Sequence, residues 1–251
     1  MRLRHHLLRY VLSPLLALLA AHAAAAEGTP GLLPVIELFT SQGCSSCPTA
    51  DALLGEYARR TDVMALSMPV DYWDYLGWKD TLASPKFTSR QRAYANARGD
   101  GKIYTPQVVV NGTAHCVGSH KQEIDRAIDQ TAKALSGHHV PLSVHSDGLV
   151  VTVEAGPTPE QGAKTGGTVW LAVVEPSAQV EIQRGENRGR KITYHNVVRD
   201  LIPVGNWSGP TTRLELQQST VLGAAGSRSA LLLQQGTTGA IVGAAWVNAK
   251  Q

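Results

Sequence analysis

The sequence predicts a mixed α/β domain, with helices on both faces of its sheet, followed by an all-β sandwich domain. Two observations lead to this fold class. In the first half of the chain, apolar segments of strand length alternate with segments of helical periodicity, in the order strand–helix–strand–helix–strand–strand–helix. Beyond residue 137, about seven short strands and their turns follow without a helical segment between them.

The start of the chain has the layout of a secretory signal peptide. Arginines precede an apolar stretch at residues 10–20, and small residues then lead to Glu27. The apolar stretch is shorter than the roughly 20 residues that a membrane-spanning helix needs. We therefore expect residues 1–26 to be removed by cleavage near Ala26, and the mature protein to be periplasmic or secreted without a stable membrane span. An uncleaved N-terminal anchor is the alternative.

Charge does not favour a nucleic-acid partner. The chain has 23 basic and 20 acidic residues, and three of the basic ones, all arginines, lie within residues 1–26. The predicted mature chain therefore carries 20 charges of each sign. A balanced surface lacks the excess of lysine and arginine that nucleic-acid binding needs, so no nucleic-acid partner is expected.

The first domain begins with a strand, a helix and a second strand. Leu32–Phe39 is apolar apart from one acid, which is typical of a strand inside a sheet. From Cys44 onward, apolar residues recur at helical spacing as far as about Arg60. Pro48 falls early in this helix, where a first turn tolerates proline. Val63–Val70 is the second strand.

The rest of the first domain contains a helix, a hairpin and a final helix. Ser84 followed by proline is a helix start, and that helix is expected to end near Gly99. Asn111-Gly112 predicts a tight turn between strands at 107–110 and 113–117. A capping box formed by Ser119 and Gln122 predicts the start of the last helix. We assign this domain to residues 27–137.

Residues 138–251 are assigned to the second domain, the β-sandwich. Its turn signals include Pro176-Ser177. Its candidate strands are residues 142–145, 149–155, 169–174, 192–201, 212–216, 229–234 and 240–247.

The candidate reactive motif is the pair Cys44 and Cys47, at the junction between the first strand and the first helix. A thiolate at Cys44 would be stabilised by the helix dipole and by unpaired N–H groups at the helix N-terminus. Cys47, in the first turn, is close enough to form a disulfide, which persists in an oxidising compartment. We therefore expect an accessible sulfur pair in which Cys44 is the nucleophile and Cys47 the resolving thiol.

Three further residues are candidates for a part in the same chemistry. Glu37 lies seven residues before Cys44 on a buried strand, where a carboxyl beneath the dithiol would have a raised pKa and could relay the proton of the resolving thiol. A paired or solvated Glu37 is the alternative, and Asp71 is the rival relay. Cys116 is expected to be a small buried hydrophobe, with a third reactive or metal-binding thiol as the alternative.

Three segments resemble a secreted bacterial family of unknown function with a thioredoxin-like domain. They are Glu37–Pro48, Val70–Trp78 and Tyr104–Gly112. The resemblance implies a thioredoxin-like fold, export, and a cis proline at Pro106 that faces the dithiol and shapes the substrate groove. The stretch His195–Arg199 is similar to an immunoglobulin-like domain found after other exported thioredoxin-like modules, which implies that fold for the sandwich.

The predicted function is that of an exported thiol–disulfide oxidoreductase, whose partner is a thiol or disulfide of a protein substrate or redox protein. Cys44, Cys47, Pro106 and Glu37 are its candidate catalytic residues. No cofactor is expected, because the sequence has no phosphate-cradling glycine loop. Two alternatives stay open, a Cu(I) carrier that uses the same cysteines and a non-catalytic interaction module with a structural disulfide. The aromatic loop at 71–80 either packs on the core or forms a patch for a partner.

Overall fold

A computed structural model describes residues 32–146, 150–157, 166–222 and 226–247. The predicted signal peptide at residues 1–26 lies outside these ranges. Within them, none of the helices combines the length and the apolar character that crossing a bilayer requires.

The described residues form a mixed α/β structure with an eight-stranded mixed sheet flanked by helices. The helices are α1 (Cys47–Ala58), α2 (Pro85–Arg98), α3 (Lys121–Ala134) and α4 (Gln218–Leu222). The strands are β1 (Val35–Thr40), β2 (Met64–Pro69), β3 (Gln107–Val110), β4 (Ala114–Val117), β5 (Leu142–Ser146), β6 (Val150–Ala155), β7 (Gly167–Glu181), β8 (Lys191–Trp207), β9 (Thr212–Gln217), β10 (Arg228–Gln235) and β11 (Ile241–Val247).

The element order predicted for the first half of the chain is confirmed. β1 pairs in parallel with β2 and antiparallel with β3, and β3 forms a hairpin with β4. Asn111 and Gly112 both have positive φ at the hairpin turn, as the tight turn requires. The Ser84 side chain accepts a hydrogen bond from the Lys86 N–H and caps α2 as predicted.

The predicted start of the last helix is wrong by one residue. His120, and not Ser119, is the N-cap residue of α3, and its side chain makes no capping bond to the backbone. The His120 N–H donates to Val117 O at 3.0 Å, which closes a turn after β4 and delays the helix.

All seven strands predicted beyond residue 137 are present, but β7 and β8 are much longer than expected. The prediction that no helix lies between these strands is wrong, because the short helix α4 connects β9 to the chain before β10. The turn predicted at Pro176-Ser177 is wrong, because both residues lie inside β7. Pro176, which has no N–H to donate, is tolerated because the ladder passes from the Glu175 pair to the Ser177 pair without it. Asn196, opposite this gap, has positive φ.

The long strands join the two halves of the chain. The sheet has the order β11-β10-β7-β8-β2-β1-β3-β4, and β8 meets β2 in parallel at Val197 and Ser67. A second sheet, β5-β6-β9, packs its apolar side chains against β7, β10 and β11. The division into two domains after residue 137 stays a prediction, and the eight-stranded sheet contains strands from both sides of it.

The first strand divides the core into two faces. Ile36 and Leu38 pack with α1 and α3, while Val35 and Phe39 pack with α2 on the opposite face. Alternation along β1 therefore places Glu37 on the α2 face. This placement decides which acid lies near the cysteine motif.

Candidate functional site

The cysteine pair forms a disulfide at the start of α1. Cys47 is the first helical residue, and its N–H donates to Cys44 O at 3.2 Å. Ser46, the N-cap residue, makes no side-chain capping bond, and the first turn contains no acidic residue. A thiolate formed at Cys44 would thus lie beside the positive end of the helix dipole, which stabilises it.

The sulfur pair is less accessible than expected. Cys44 is 3% exposed and Cys47 is 0% exposed, although Ser45 and Ser46 between them face solvent. The connection between β7 and β8 packs on the backbone of this motif, where its buried Asn187 donates to Cys44 O at 2.8 Å and to Gln42 O at 2.9 Å. Nothing in the sequence near the motif indicated this contact, which spans more than 140 residues.

Pro106 lies beside the first turn of α1, and the Thr105–Pro106 peptide bond is cis. A Cβ built on Gly118 would lie 3.1 Å from Pro106 Cβ and 3.2 Å from Ala50 Cβ, so the proline and the helix approach the same point. The structure therefore places Pro106 near Ala50, on the helix that Cys47 opens.

The aromatic loop packs against the cysteine motif. Trp73 Nε1 donates to Thr105 Oγ1 at 2.7 Å, and Trp73 Cβ lies 3.0 Å from the position of a Cβ built on Gly43. Trp78 Nε1 donates to Gln42 Oε1 at 2.7 Å. Tyr75 alone among the tyrosines and tryptophans of this loop is largely exposed, at 76%. The tryptophans thus act as supports for the motif and for the Pro106 turn.

Glu37 does not lie beneath the disulfide. Its side chain is fully buried on the α2 face, where Arg90 Nε donates to Oε1 at 2.7 Å and the Tyr94 hydroxyl donates to Oε2. Arg90 also donates to Gln234 Oε1 at 3.1 Å. The relay role predicted for Glu37 has no support in this arrangement, which is that of a paired structural acid. Asp71, the rival, accepts a hydrogen bond from Thr88 Oγ1.

Asp51 is the buried acid nearest the motif along α1, and the sequence reasoning missed it. It lies one helical turn after Cys47, and side chains at this spacing share a helix face. Thr40 Oγ1 donates to Asp51 Oδ1 at 2.8 Å, and Oδ2 is buried without a hydrogen-bond partner in the described part of the chain. Burial, with a smaller contribution from the charge of Asp80, raises the pKa of Asp51 to about 8. The sequence did contain a signal for Asp51, which is an acidic residue on the apolar face of a predicted helix.

Tyr194, in the second half of the chain, lies near the two buried acids Asp51 and Asp80. The hydroxyl of Tyr194 on β8 is buried and lacks a hydrogen-bond partner among the described residues. Burial, followed by the nearby charges of Asp51 and Asp80, holds the pKa of Tyr194 well above its ordinary value. The region beside α1 thus disfavours negative charge, which keeps Asp51 protonated at neutral pH.

Comparison with known proteins places the chain in a family. The family described as "Protein of unknown function (DUF1223)" matches residues 35–234. The chain belongs to the DUF1223 family. A crystal structure of protein AGR_C_4864 from Agrobacterium tumefaciens is 35% identical, covers 89% of this chain and 98% of its own, and has a TM-score of 0.76. No curated protein matches.

A more distant solved structure shares the fold alone. HBP35 of Porphyromonas gingivalis is 13% identical to this DUF1223 protein, with a TM-score of 0.55. The match covers 88% of this chain and 76% of that one.

The third cysteine of this DUF1223 protein is separate from the motif. Cys116 on β4 is a free, buried thiol that packs with α1 and α3, and burial raises its pKa to about 11. His115 faces the other way and bonds Tyr104 and Asp100. Within the described ranges, no three His, Cys, Asp or Glu side chains gather as a group that could hold a metal ion.

Glu37→Gln tests whether Glu37 is a structural partner of Arg90. The substitution leaves a buried guanidinium without its counter-charge, so we expect the free energy of unfolding to fall by about 3 kcal/mol or more. Urea unfolding measures this change. Glu123→Gln, which breaks only an exposed pair with His120, is the control and should cost under about 1 kcal/mol. A Glu37→Gln loss as small as that of the control contradicts the structural role.

Asp51→Asn tests the raised pKa of Asp51. The folded protein keeps a proton on Asp51 that the unfolded chain releases above about pH 4, so the free energy of unfolding falls as pH rises between about 4 and 8. The slope from this group is about 1.4 kcal/mol per pH unit. Asn carries no such proton, and the stability difference between the two proteins should change with that slope in urea unfolding at pH 5, 6 and 7. A constant difference would show that Asp51 is ionised in the folded state.

Proposed function

We propose that this protein is an exported thiol–disulfide oxidoreductase that reacts through the Cys44–Cys47 disulfide. The observation that carries the proposal is the position of that disulfide, at the uncapped start of α1 and one turn before a protonated buried acid. Export is proposed from the signal-peptide layout of residues 1–26.

We further propose a thioredoxin-like fold for residues 27–137 and a β-sandwich, immunoglobulin-like in type, for residues 138–251. The order β1–α1–β2–α2–β3–β4–α3, with the cysteine pair opening α1 and Pro106 preceding β3, supports the first assignment. The apolar core that β5, β6 and β9 share with β7, β10 and β11 supports the second.

The exchange begins with the disulfide form of the protein. A substrate thiolate attacks Cys44 Sγ, a new S–S bond joins substrate and Cys44, and the Cys44–Cys47 bond breaks with its electron pair on Cys47 Sγ. Asp51, protonated at neutral pH, supplies the proton that Cys47 takes up. No other buried acid with a raised pKa lies on this helix in the described part of the chain.

The second step completes the redox change. A second substrate thiolate attacks the substrate sulfur of the mixed disulfide and displaces Cys44 as a thiolate, which the N-terminus of α1 stabilises. The substrate dithiol is then oxidised to a disulfide by two electrons, and the protein holds a reduced dithiol. The reverse sequence, with Asp51 accepting the Cys47 proton, reduces a substrate disulfide.

Asn187 is a positioning residue in this scheme. Its two hydrogen bonds fix the carbonyl groups of Gln42 and Cys44 and hold the β7–β8 connection against the buried cysteine that must be attacked. Because Cys44 is buried, attack by a protein thiol requires a local movement, which we assign to the hairpin tip that carries Asn187.

The Cys47→Ser variant tests the proposed nucleophile. In the reduced variant, Cys44 attacks hydroxyethyl disulfide and no resolving thiol follows, so we expect one stable adduct per chain by intact mass spectrometry. Wild-type protein should reduce insulin disulfides with dithiothreitol at least about tenfold faster than Cys44→Ser. An adduct that also forms on Cys44→Ser, or equal insulin rates, would refute the assignment.

Asn187→Ala tests the cover over Cys44. Loss of two buried hydrogen bonds should lower the opening cost by about 1–3 kcal/mol, so dithiothreitol should reduce the disulfide about tenfold faster or more. The reduction rate is measured by alkylating the freed thiols over time. Asn206→Ala, at an exposed position on β8, is the control. Equal rates for wild type and Asn187→Ala would mean that the hairpin does not limit access.

A structural disulfide is the second candidate function, and the burial of both sulfurs favours it. In that case reduction of this short-range disulfide would lower the free energy of unfolding, measured by urea unfolding, by about 2 kcal/mol. The Cys47→Ser variant would then form no adduct at Cys44. Together, these two outcomes would refute thiol–disulfide exchange and support a structural disulfide.

A further inference from the structure

The connection between β7 and β8 carries an unusual concentration of positive charge. Between residues 184 and 191 the side chains include four basic groups and a single acid, Glu186, and all five are exposed. The basic groups are Arg184, Arg188, Arg190 and Lys191. The predicted mature chain as a whole is balanced at 20 charges of each sign, so this excess is local.

These cations have no counter-ions within the described structure. The ion pairs found there within 4.0 Å include none of the four basic groups. Glu181 lies opposite Lys191 in the ladder, yet the two do not form an ion pair at that cut-off. The positive potential of exposed cations without counter-ions is available to attract an approaching anion.

A groove of about 570 Å³ brings this charge to the cysteine motif. One wall consists of Pro48 and Ala52 on the first turns of α1, and the other includes Arg190, Lys191 and His195 at the start of β8. Pro48 follows Cys47 directly in the sequence. Burial, with the charge of Arg59, lowers the pKa of His195, so the positive charge of the groove at neutral pH comes from Arg190 and Lys191.

A second contact ties the same segment to the nucleophile. Arg188 follows Asn187, whose side chain donates to Cys44 O at 2.8 Å. The segment that bears the exposed cations therefore contacts, through Asn187, the one cysteine that the proposed exchange attacks. The uncapped N-terminus of α1 adds a positive potential of the same sign.

We propose that this cationic groove, defined by Arg190 and Lys191 beside Pro48, is the docking surface for an acidic segment of the protein substrate. The inference rests on the proposed exchange at Cys44 and names the substrate class for it. An acidic segment bound here places its neighbouring cysteine at the covered disulfide and holds it while the Asn187 hairpin moves. Opposite charges also raise the rate of encounter, by tenfold or more at low ionic strength.

The test compares two peptides that differ only in charge. Each carries one cysteine as a mixed disulfide with 2-mercaptoethanol, flanked by four glutamates in one peptide and by four glutamines in the other. Reaction with the reduced full-length protein is followed by rapid quenching in 20 mM and in 300 mM NaCl. We expect the glutamate peptide to react about tenfold faster in low salt, and this preference to shrink as salt screens the charges.

Paired variants locate the effect. Arg190→Gln/Lys191→Gln should reduce the preference for the glutamate peptide at least threefold. Arg126→Gln/Lys133→Gln, the same charge change at exposed positions on α3, should keep it. All variants should react equally with uncharged hydroxyethyl disulfide, because neither pair touches the sulfurs.

The outcomes separate this inference from the proposed function. Reaction with hydroxyethyl disulfide but no preference for the glutamate peptide overturns the docking surface and leaves the exchange at Cys44 standing. A preference that both double variants lose equally also overturns it, because net charge alone then explains the rates. Failure of the wild type to react with hydroxyethyl disulfide overturns the proposed exchange itself, and the docking surface falls with it.

Discussion

The hydrogen bonds of Gln42 tie the loop before the disulfide to two separate segments of the chain. Its N–H donates to Asp80, its side-chain oxygen accepts from Trp78 Nε1, and its carbonyl accepts from Asn187. Gln42 is fully buried, and a buried polar group without partners costs free energy, so these partners must stay in place for the loop to keep its form. The conformation of the residues before Cys44 therefore depends on the aromatic loop and the β7–β8 connection.

The sequence was sufficient for whatever depends on local pattern. The periodicity of the first half predicted α1, α2 and the hairpin at Asn111, and the strand-to-helix junction predicted the position of Cys44 and Cys47. It was insufficient where alternation along a strand had to be combined with the placement of helices. Glu37 is close to Cys44 in sequence, yet alternation along β1 directs it to the α2 face, while Asp51 lies on the helix of the motif itself.

The long-range contacts escaped prediction for a different reason. Asn187 lies in a polar, basic segment whose sequence is typical of a solvated turn. It reaches the motif because β7 and β8 are long. The sequence did not indicate that length because Pro176 is typical of a turn. In the structure Pro176 lies inside β7, at a gap in the hydrogen-bonded ladder. A second contact of this kind, from Arg90 on α2 to Gln234 on β10, ties the two halves of the chain together. The second half is therefore part of the structure that sets the properties of the site.

Burial of the disulfide and a role in exchange are compatible on energetic grounds. Asn187, at a hairpin tip, makes two hydrogen bonds to the backbone of the motif, and such bonds contribute about 0.5–1.5 kcal/mol each. A domain of ordinary stability has about 5–15 kcal/mol available before global unfolding. Displacement of the tip therefore requires only a local opening, with the sheet and the Glu37–Arg90 pair intact. Because the tip is rich in arginine and lacks ion-pair partners in the described structure, an acidic ligand that binds the opened form would lower this cost further.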